Sequence, residues 1–308
     1  MNYRGSVLEL IGGTPLLRLK KIENELKLNF ELYAKLDYLN PAGSSKDRAA
    51  LYMIKDAEDK GIIKEGATVI EATSGNTGIG LACVCAVRGY RAIIVMPGTM
   101  SAERIAFIKA YGAEVVLTDG SKGMTGAIEK ANELNREIPN SFIPKQFENK
   151  AAARAHYETT GPEIFSSLDG NIDYFIAGIG CGGTVTGVGT YMKENCPECR
   201  IIGVEPASSP LLSEGRSGAH GIQGIGANFV PSVLDRSVVD EVLTAGDGES
   251  YDCARLVAKT EGFLCGISSG ATLAACLKLK EKTDLEGKKV VLFFPDGGDR
   301  YLSTDLYK

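Results

Sequence analysis

The sequence predicts an α/β chain on largely parallel sheets. Two observations predict it: short β-branched runs alternate with longer segments of helical period, and glycine- and hydroxyl-rich turns sit where a run gives way to a helical segment. The strand-like runs are Ala67–Glu71, Arg91–Met96, Ala113–Leu117, Ile172–Ala177, Arg200–Val204 and Lys289–Phe294, all short and mostly apolar. Between them the apolar spacing predicts helices near Ser45–Lys60, Thr77–Arg88, Ala102–Tyr111, Met124–Glu137, His156–Phe165, Val185–Glu194, Ser250–Glu261 and Ser269–Lys282. Irregular stretches at Pro144–Arg154 and Ser208–Pro231 break the rhythm; the first reads as a domain junction, the second as a functional loop.

Composition narrows the function. The 308 residues are 44% hydrophobic and 24% charged, proportions of a soluble globular protein able to bury a substantial core. Lysine and arginine (34) fall short of aspartate and glutamate (39), and no dense basic stretch follows a phosphate backbone, so nucleic acid is not an expected partner. Met1–Lys20 carries Glu9 and no apolar signal core, and no segment reaches the ~20 apolar residues of a membrane span. A cytoplasmic protein is expected. Its eight cysteines lie mostly in apolar segments, which suits reduced thiols. Cys196-Pro197-Glu198-Cys199 has redox or zinc spacing, but no second pair follows and the only histidines are His156 and His220. A turn is the better reading, and no metal is expected.

Three turns carry the chemistry. Thr73-Ser74-Gly75-Asn76-Thr77-Gly78 follows a strand and opens a helix, where amides and hydroxyls suit a carboxylate; ordinary capping by Ser and Asn accounts for it equally. Gly178-Ile179-Gly180-Cys181-Gly182-Gly183-Thr184 lets backbone amides approach a phosphate. It also fits G-x-G-x-x-G with Glu205 as a ribose-binding acid, the pattern of a nicotinamide enzyme. Against that stand Pro206 directly after the acid, the motif's place past mid-chain, and an extra glycine with Thr184 that suits a lone phosphate. The third element, Asn40-Pro41-Ala42-Gly43-Ser44-Ser45-Lys46-Asp47-Arg48, puts Lys46 in the first turn of a helix capped by Ser44 or Ser45. The positive field of a helix start favours a neutral amine able to form a Schiff base, although a solvated surface lysine is the commoner case.

In order and content these elements resemble the fold-type-II pyridoxal-phosphate enzymes of the cysteine synthase (O-acetylserine sulfhydrylase) family, over nearly the whole chain. Further motifs join them: Ile11-Gly12-Gly13-Thr14-Pro15-Leu16, Met100-Ser101-Ala102-Glu103-Arg104, Gln146-Phe147-Glu148-Asn149, Thr159-Thr160-Gly161-Pro162-Glu163-Ile164, Gln223-Gly224-Ile225-Gly226-Ala227, Gly266-Ile267-Ser268-Ser269-Gly270 and Arg300-Tyr301-Leu302-Ser303. The resemblance implies a tryptophan synthase β-like fold of two similar domains, each an open twisted, largely parallel sheet flanked by helices. Their expected bounds are 1–145 and 146–308, with room for part of 13–34 to cross into the second.

It also implies pyridoxal 5'-phosphate bound to Lys46 as a Schiff base, with Lys46 then removing the substrate's α-proton. Asn76 would meet the cofactor's ring hydroxyl, while Thr73, Ser74, Gly75, Thr77 and Gln146 bind the α-carboxylate. Gly180, Cys181, Gly182, Gly183 and Thr184 would hold the phosphate. Ser268 would meet the pyridine nitrogen, with Ser269 the lesser choice, and Gly226 and Asn228 would face the substrate. A neutral serine there weakens the electron sink and suits expulsion of a β-substituent. The implied reaction is β-replacement through an α-aminoacrylate, making L-cysteine from O-acetyl-L-serine and sulfide. The alternative is a relative that starts from L-cysteine or L-serine, releasing hydrogen sulfide or making lanthionine or cystathionine. A homodimer and docking of a serine acetyltransferase C-terminal tail are implied partners.

Four departures from the family pattern stand out. Cys181 replaces a common threonine, Gly221 a common lysine and Asn228 a common glycine. Lys150-Ala151-Ala152-Ala153 stands where Pro-Ala-Asn-Pro is common, and loss of proline is expected to free the chain there.

Overall fold

The computed structural model describes residues 3–73, 75–98 and 102–308. In chain order the elements are β1 (Leu16–Arg18), α1 (Lys20–Glu25), β2 (Glu31–Leu36), α2 (Lys46–Asp59), β3 (Thr68–Ala72), α3 (Asn76–Arg88), β4 (Arg91–Pro97) and α4 (Ala102–Ala110). There follow β5 (Glu114–Thr118), α5 (Gly123–Glu137), β6 (Ser141–Phe142), α6 (Ala151–Ala155), a π-helical turn (His156–Thr160) and α7 (Gly161–Ser167). The remainder is β7 (Tyr174–Gly178), α8 (Gly183–Asn195), β8 (Arg200–Pro206), α9 (Leu211–Glu214), β9 (Glu241–Ala245), α10 (Asp247–Glu261), α11 (Ile267–Lys282) and β10 (Lys289–Phe294).

The chain divides into two compact units, one of Met1–Ile11 with Asn40–Ala152, the other of Gly12–Leu39 with Ala153–Lys308. The first is built on a four-stranded sheet ordered β5-β4-β3-β6, parallel throughout. Its central strands β3 and β4 are mostly apolar because both faces are covered, while β5 at the edge is only half-buried. Val69, Ile94 and Met96 enter one core with α2 and α3, while Ile70, Ile93 and Val95 enter another with Ala127 and Ala131 of α5.

The second unit holds a six-stranded sheet ordered β1-β2-β10-β7-β8-β9, in which only β1 runs antiparallel to its neighbour. Phe175, Ala177, Val291 and Phe293 face a core with α8, and Ile176, Val290, Leu292 and Phe294 face one with α10 and α11. This period-2 sorting is the sheet's own geometry. Strands β1, β2 and β9 were not legible beforehand: β2 carries Glu31 and Lys35 within Glu-Leu-Tyr-Ala-Lys-Leu, and charges inside a six-residue run hide it.

Lys35 has a structural reason to be there. Its side chain is 1% exposed, and its ammonium pairs with Glu163 at 2.6 Å and donates to the Thr14 carbonyl. Glu163 also accepts the Gly13 N–H at 2.9 Å, and the Thr14 hydroxyl donates to Asp37 at 2.7 Å. The Gly-Gly-Thr-Pro motif near the start is thereby pinned to α7 within one unit.

Two expectations change. The helix expected over His156–Phe165 is a π-helical turn followed by α7. Pro162 has no N–H to give, and the turn before it widens until the Gly161 N–H reaches the His156 carbonyl five residues back. The segment after Asn149, expected to be freed by loss of proline, is the start of α6: the Asn149 side-chain oxygen accepts the Ala151 N–H at 3.0 Å, and Ala151 and Ala152 are buried.

A prediction follows from the Lys35 clamp. Glu163→Ala removes a carboxylate from the buried Lys35 ammonium and is expected to lower the unfolding free energy by roughly 1.5–3 kcal/mol, as for a hydrogen bond to a charged group. Glu114→Ala, which breaks the half-exposed Arg91–Glu114 pair, is expected to lower it by about 1 kcal/mol or less. Urea denaturation of both variants gives the comparison.

Candidate active site

In the first unit, Lys46 is the opening residue of α2. Ser45 makes no side-chain cap; the Ser44 hydroxyl instead accepts the Lys46 N–H at 3.2 Å, which decides between the two serines. Helix α3 packs closely behind. A Cβ added at Gly80 would lie 2.9 Å from the Lys46 carbonyl oxygen and 3.3 Å from the Ala50 Cβ, so only glycine lets the two helices meet here.

The carboxylate turn differs from an ordinary capped start. Asn76 is the first residue of α3, and the N-cap is Gly75 in extended conformation with no side-chain oxygen to offer. Capping by Asn is therefore excluded, while Ser74 lies outside the described residues. The Thr73 hydroxyl accepts the Gly75 N–H at 3.3 Å, and the Thr77 hydroxyl donates to Gln146 Oε1 at 2.6 Å. Thr77 and Gln146, distant in sequence, are thus in direct contact and both buried.

Behind them lies a carboxyl that sequence reasoning passed over. Glu71 in β3 is 3% exposed and accepts the N–H groups of Lys145 at 3.0 Å and Gln146 at 3.3 Å. Burial pushes its carboxyl up to about 7; the two amides pull it down, and the Glu148 charge adds to the rise.

In the second unit, α8 starts at Gly183 behind Gly182, whose φ of 84° suits glycine and which gives the helix no side-chain cap. The turn is locked to the loop that carries Gly224 and Gly226. A Cβ at Gly180 would fall 2.3 Å from the Gly224 carbonyl oxygen, and the Gly226 N–H donates to the Ile179 carbonyl at 3.0 Å. Beside Gly224 there is room: the nearest atom to an added Cβ is the Ser268 hydroxyl, at 4.0 Å. Ser268 occupies the first turn of α11, whose N-cap Gly266 again supplies no side-chain oxygen. Ser269 is fully buried, its hydroxyl without a hydrogen-bond partner among the described residues.

His156, mentioned in the sequence only as one of two histidines, connects to this turn. Its Nε2 lies 3.2 Å from the Thr184 hydroxyl and its Nδ1 2.8 Å from that of Thr160, so the π-helical turn holds the last residue of the glycine turn. Only its contact partners, far along the chain, would have revealed it. Cys181 is buried.

The loop departures have local explanations. Asn228 has φ of 61°, a left-handed conformation for which Asn is the next choice after glycine, and its Oδ1 accepts the Ser209 hydroxyl at 2.8 Å. At Gly221 an added Cβ would lie 2.8 Å from the Tyr251 hydroxyl and 2.9 Å from Asp247 Oδ2, so a side chain there would have to displace the ends of both. Glu205 is committed to α9, accepting the N–H groups of Leu212 and Ser213 and the Ser213 hydroxyl at 2.6–2.9 Å. That removes the ribose-binding acid a dinucleotide site needs. Cys196 donates weakly to the Gly170 and Ile172 carbonyls, and burial pushes the Cys199 thiol well above the usual range, so neither is a ready metal or redox ligand. Among the described residues no group of three or more His, Cys, Asp or Glu side chains could hold a metal ion. Among them, too, no helix is long and apolar enough to cross a membrane.

The first unit thus opens a helix on a lysine, whose amine suits a carbonyl carbon, and the second feeds a helix from a glycine turn with uncapped amides, which suit a phosphate dianion. These are the parts of a cofactor-dependent enzyme of the lysine–Schiff base class. The chain belongs to the pyridoxal-phosphate dependent enzyme family, whose model matches residues 7–296. Its cofactor is pyridoxal 5'-phosphate. It is 49% identical over 303 residues to a cysteine synthase of Staphylococcus aureus, covering 98% of this chain and 96% of that one. Among solved structures it is similar to a cysteine synthase from Entamoeba histolytica (TM-score 0.95, 44% identity, 99% of this chain and 91% of that one). A hydrogen sulfide-producing enzyme from Fusobacterium nucleatum is also similar (TM-score 0.93, 46% identity, 97% and 100%).

Glu71 gives a pH prediction. Its carboxyl is raised in the folded chain, so between about pH 4.5 and 7 the folded state holds a proton that the unfolded state has lost. Its contribution to stability is therefore greatest at low pH and falls as pH rises through that window, by on the order of 3 kcal/mol. Glu71→Gln removes this dependence. The melting temperature of the parent minus that of Glu71→Gln is expected to fall between pH 5 and 7.5 and then level off.

Proposed function

We propose that this chain makes L-cysteine from O-acetyl-L-serine and sulfide by β-replacement. The observation that carries the reading is near-complete alignment with a cysteine synthase at 49% identity. The Lys46, Asn76, Thr77 and Gln146 set of the first unit supports it, as do the 180–184 turn and Ser268 of the second.

When bound, pyridoxal phosphate supplies an electron sink conjugated to the substrate's α-carbon. Lys46 Nζ would hold the cofactor and, as a free amine, would take the substrate's α-proton. Thr73, Ser74, Gly75, Thr77 and Gln146 bind the α-carboxylate and so fix which bond at the α-carbon faces Lys46. Asn76 meets the ring hydroxyl. Gly180, Cys181, Gly182, Gly183 and Thr184 hold the phosphate with backbone amides and the start of α8, and His156 keeps the Thr184 hydroxyl in place. Ser268, a neutral partner for the ring nitrogen, favours expulsion of the β-substituent over storage of charge in the ring. Gly226 and Asn228 line the β-side. The same resemblance supports a cytoplasmic homodimer that can dock a serine acetyltransferase C-terminal tail.

A second reading takes L-cysteine or L-serine first, giving hydrogen sulfide with lanthionine or serine, or cystathionine with homocysteine. Asn228 favours it, because a side-chain amide braced by Ser209 stands where relatives commonly have no side chain.

The visible spectrum before and after O-acetylserine, without sulfide, tests the assignment. A yellow protein that shifts to longer wavelength and makes cysteine once sulfide is added is expected. A yellow protein inert to O-acetylserine but responsive to cysteine or serine transfers the proposal to the second reading. Lys46→Ala is expected to lose at least roughly a hundredfold in turnover, and borohydride is expected to fix pyridoxal phosphate to the Lys46 peptide of the parent alone.

A further inference from the structure

We infer that Glu71 is a positioning residue for the substrate carboxylate, acting through Gln146. The inference rests on the assignment of Gln146 and Thr77 to that carboxylate and names a residue that assignment does not contain. The geometry is a short relay. Glu71 lies in β3, the strand that leads into the Thr73–Thr77 turn. Its carboxylate reaches sideways to the segment after β6 and accepts the consecutive N–H groups of Lys145 (3.0 Å) and Gln146 (3.3 Å). Gln146 then accepts the Thr77 hydroxyl at 2.6 Å, at the first turn of the helix the same strand feeds. One carboxylate thus sets where both arms of the carboxylate site meet.

A second observation shows why a clamp is needed. Lys145 has φ of 56°, a left-handed backbone that disfavours a side chain bearing a Cβ. The turn is held in it by the Glu71 contact on one side and, on the other, by the N–H groups of Glu148 and Asn149, which both donate to the Lys145 carbonyl at 2.9 Å. Once ionised, above about pH 7, the carboxyl accepts from both amides, which an amide side chain could serve only in part: glutamine offers one oxygen and would turn its own NH2 toward the second donor. Its retention at a position 3% exposed is explained by the double acceptor it provides.

The test compares KM and kcat for O-acetylserine in the holoenzyme and in Gln146→Ala, Glu71→Gln and the double variant, with amide hydrogen exchange of peptides covering 143–149. Glu71→Asp, which keeps the charge and shortens the reach, is the second variant should Glu71→Gln not fold. Gln146→Ala is expected to raise KM roughly tenfold or more, as for loss of one hydrogen bond to a charged group. Glu71→Gln is expected to raise KM in the same sense with kcat changed less than about threefold, to speed exchange at 145–146, and to add nothing to KM in the double variant. Glu71→Asp is expected to fall between parent and Glu71→Gln. Multiplying KM effects in the double variant, or unchanged exchange, would overturn the relay. An unchanged KM in Gln146→Ala would instead overturn the carboxylate assignment on which it stands.

Discussion

Within each unit the candidate turns open on helix starts whose N-cap is glycine. Helices α3, α8 and α11 begin behind Gly75, Gly182 and Gly266, none of which can offer an oxygen to the first turn. Side-chain caps occur on four short 3-10 turns, where Ser6, Asp119, Asp235 and Thr304 each accept an N–H, while the N-cap residues of α1, α2, α5, α7 and α9 make no such bond either. Glycine at an N-cap gives up only roughly a few tenths of a kcal/mol against Ser or Asn, so the three glycine starts cost the fold little. What they gain is a set of amide donors and positive helix ends aimed at anions supplied from outside.

Bare helix ends are useful only if they stay put, and close glycine contacts do much of that. Gly80 brings α3 against the backbone of Lys46. Gly187, whose added Cβ would lie 2.2 Å from the Ala153 carbonyl oxygen and 2.8 Å from His156, brings α8 against the π-helical turn. The second contact explains the wider turn as well as the glycine: His156 must sit under α8 with its ring toward Thr184, and Pro162 makes the widening easy. Each contact converts packing in a core into the location of a reactive or phosphate-binding group.

Much of this was legible in the sequence, for a physical reason. Strands buried on both faces are mostly apolar, helix starts carry glycine and hydroxyl residues, and a lysine in a first turn is unusual; each is a local signal. The illegible parts are contacts across sequence distance. Glu71 reads as the last residue of a strand, and nothing nearby tells that its partners are Lys145 and Gln146. Lys35 reads as a charge that breaks a strand until Glu163 is seen beside it. The choice between Ser44 and Ser45 as a cap turns on backbone angles that two neighbouring serines do not reveal.

The nicotinamide alternative shows how such distant contacts decide function. Gly178, Gly180 and Gly183 satisfy the spacing of a dinucleotide turn, and Glu205 stands at the end of the next strand where a ribose-binding acid belongs. Spacing alone cannot separate the two readings, because a helix start accepts one phosphate as readily as two. The acid separates them. Both Glu205 oxygens accept hydrogen bonds from α9, from the N–H groups of Leu212 and Ser213 and the Ser213 hydroxyl, an interaction between residues seven and eight apart that commits the acid to its own loop. Glu71, by contrast, sits at the equivalent strand end of the other unit and turns its acceptors to the chain that carries Gln146. Two strand-end carboxylates each hold loops of their own unit, Glu71 through the N–H groups of Lys145 and Gln146 and Glu205 through those of Leu212 and Ser213, so neither stands open to an outside hydroxyl as a ribose-binding acid must.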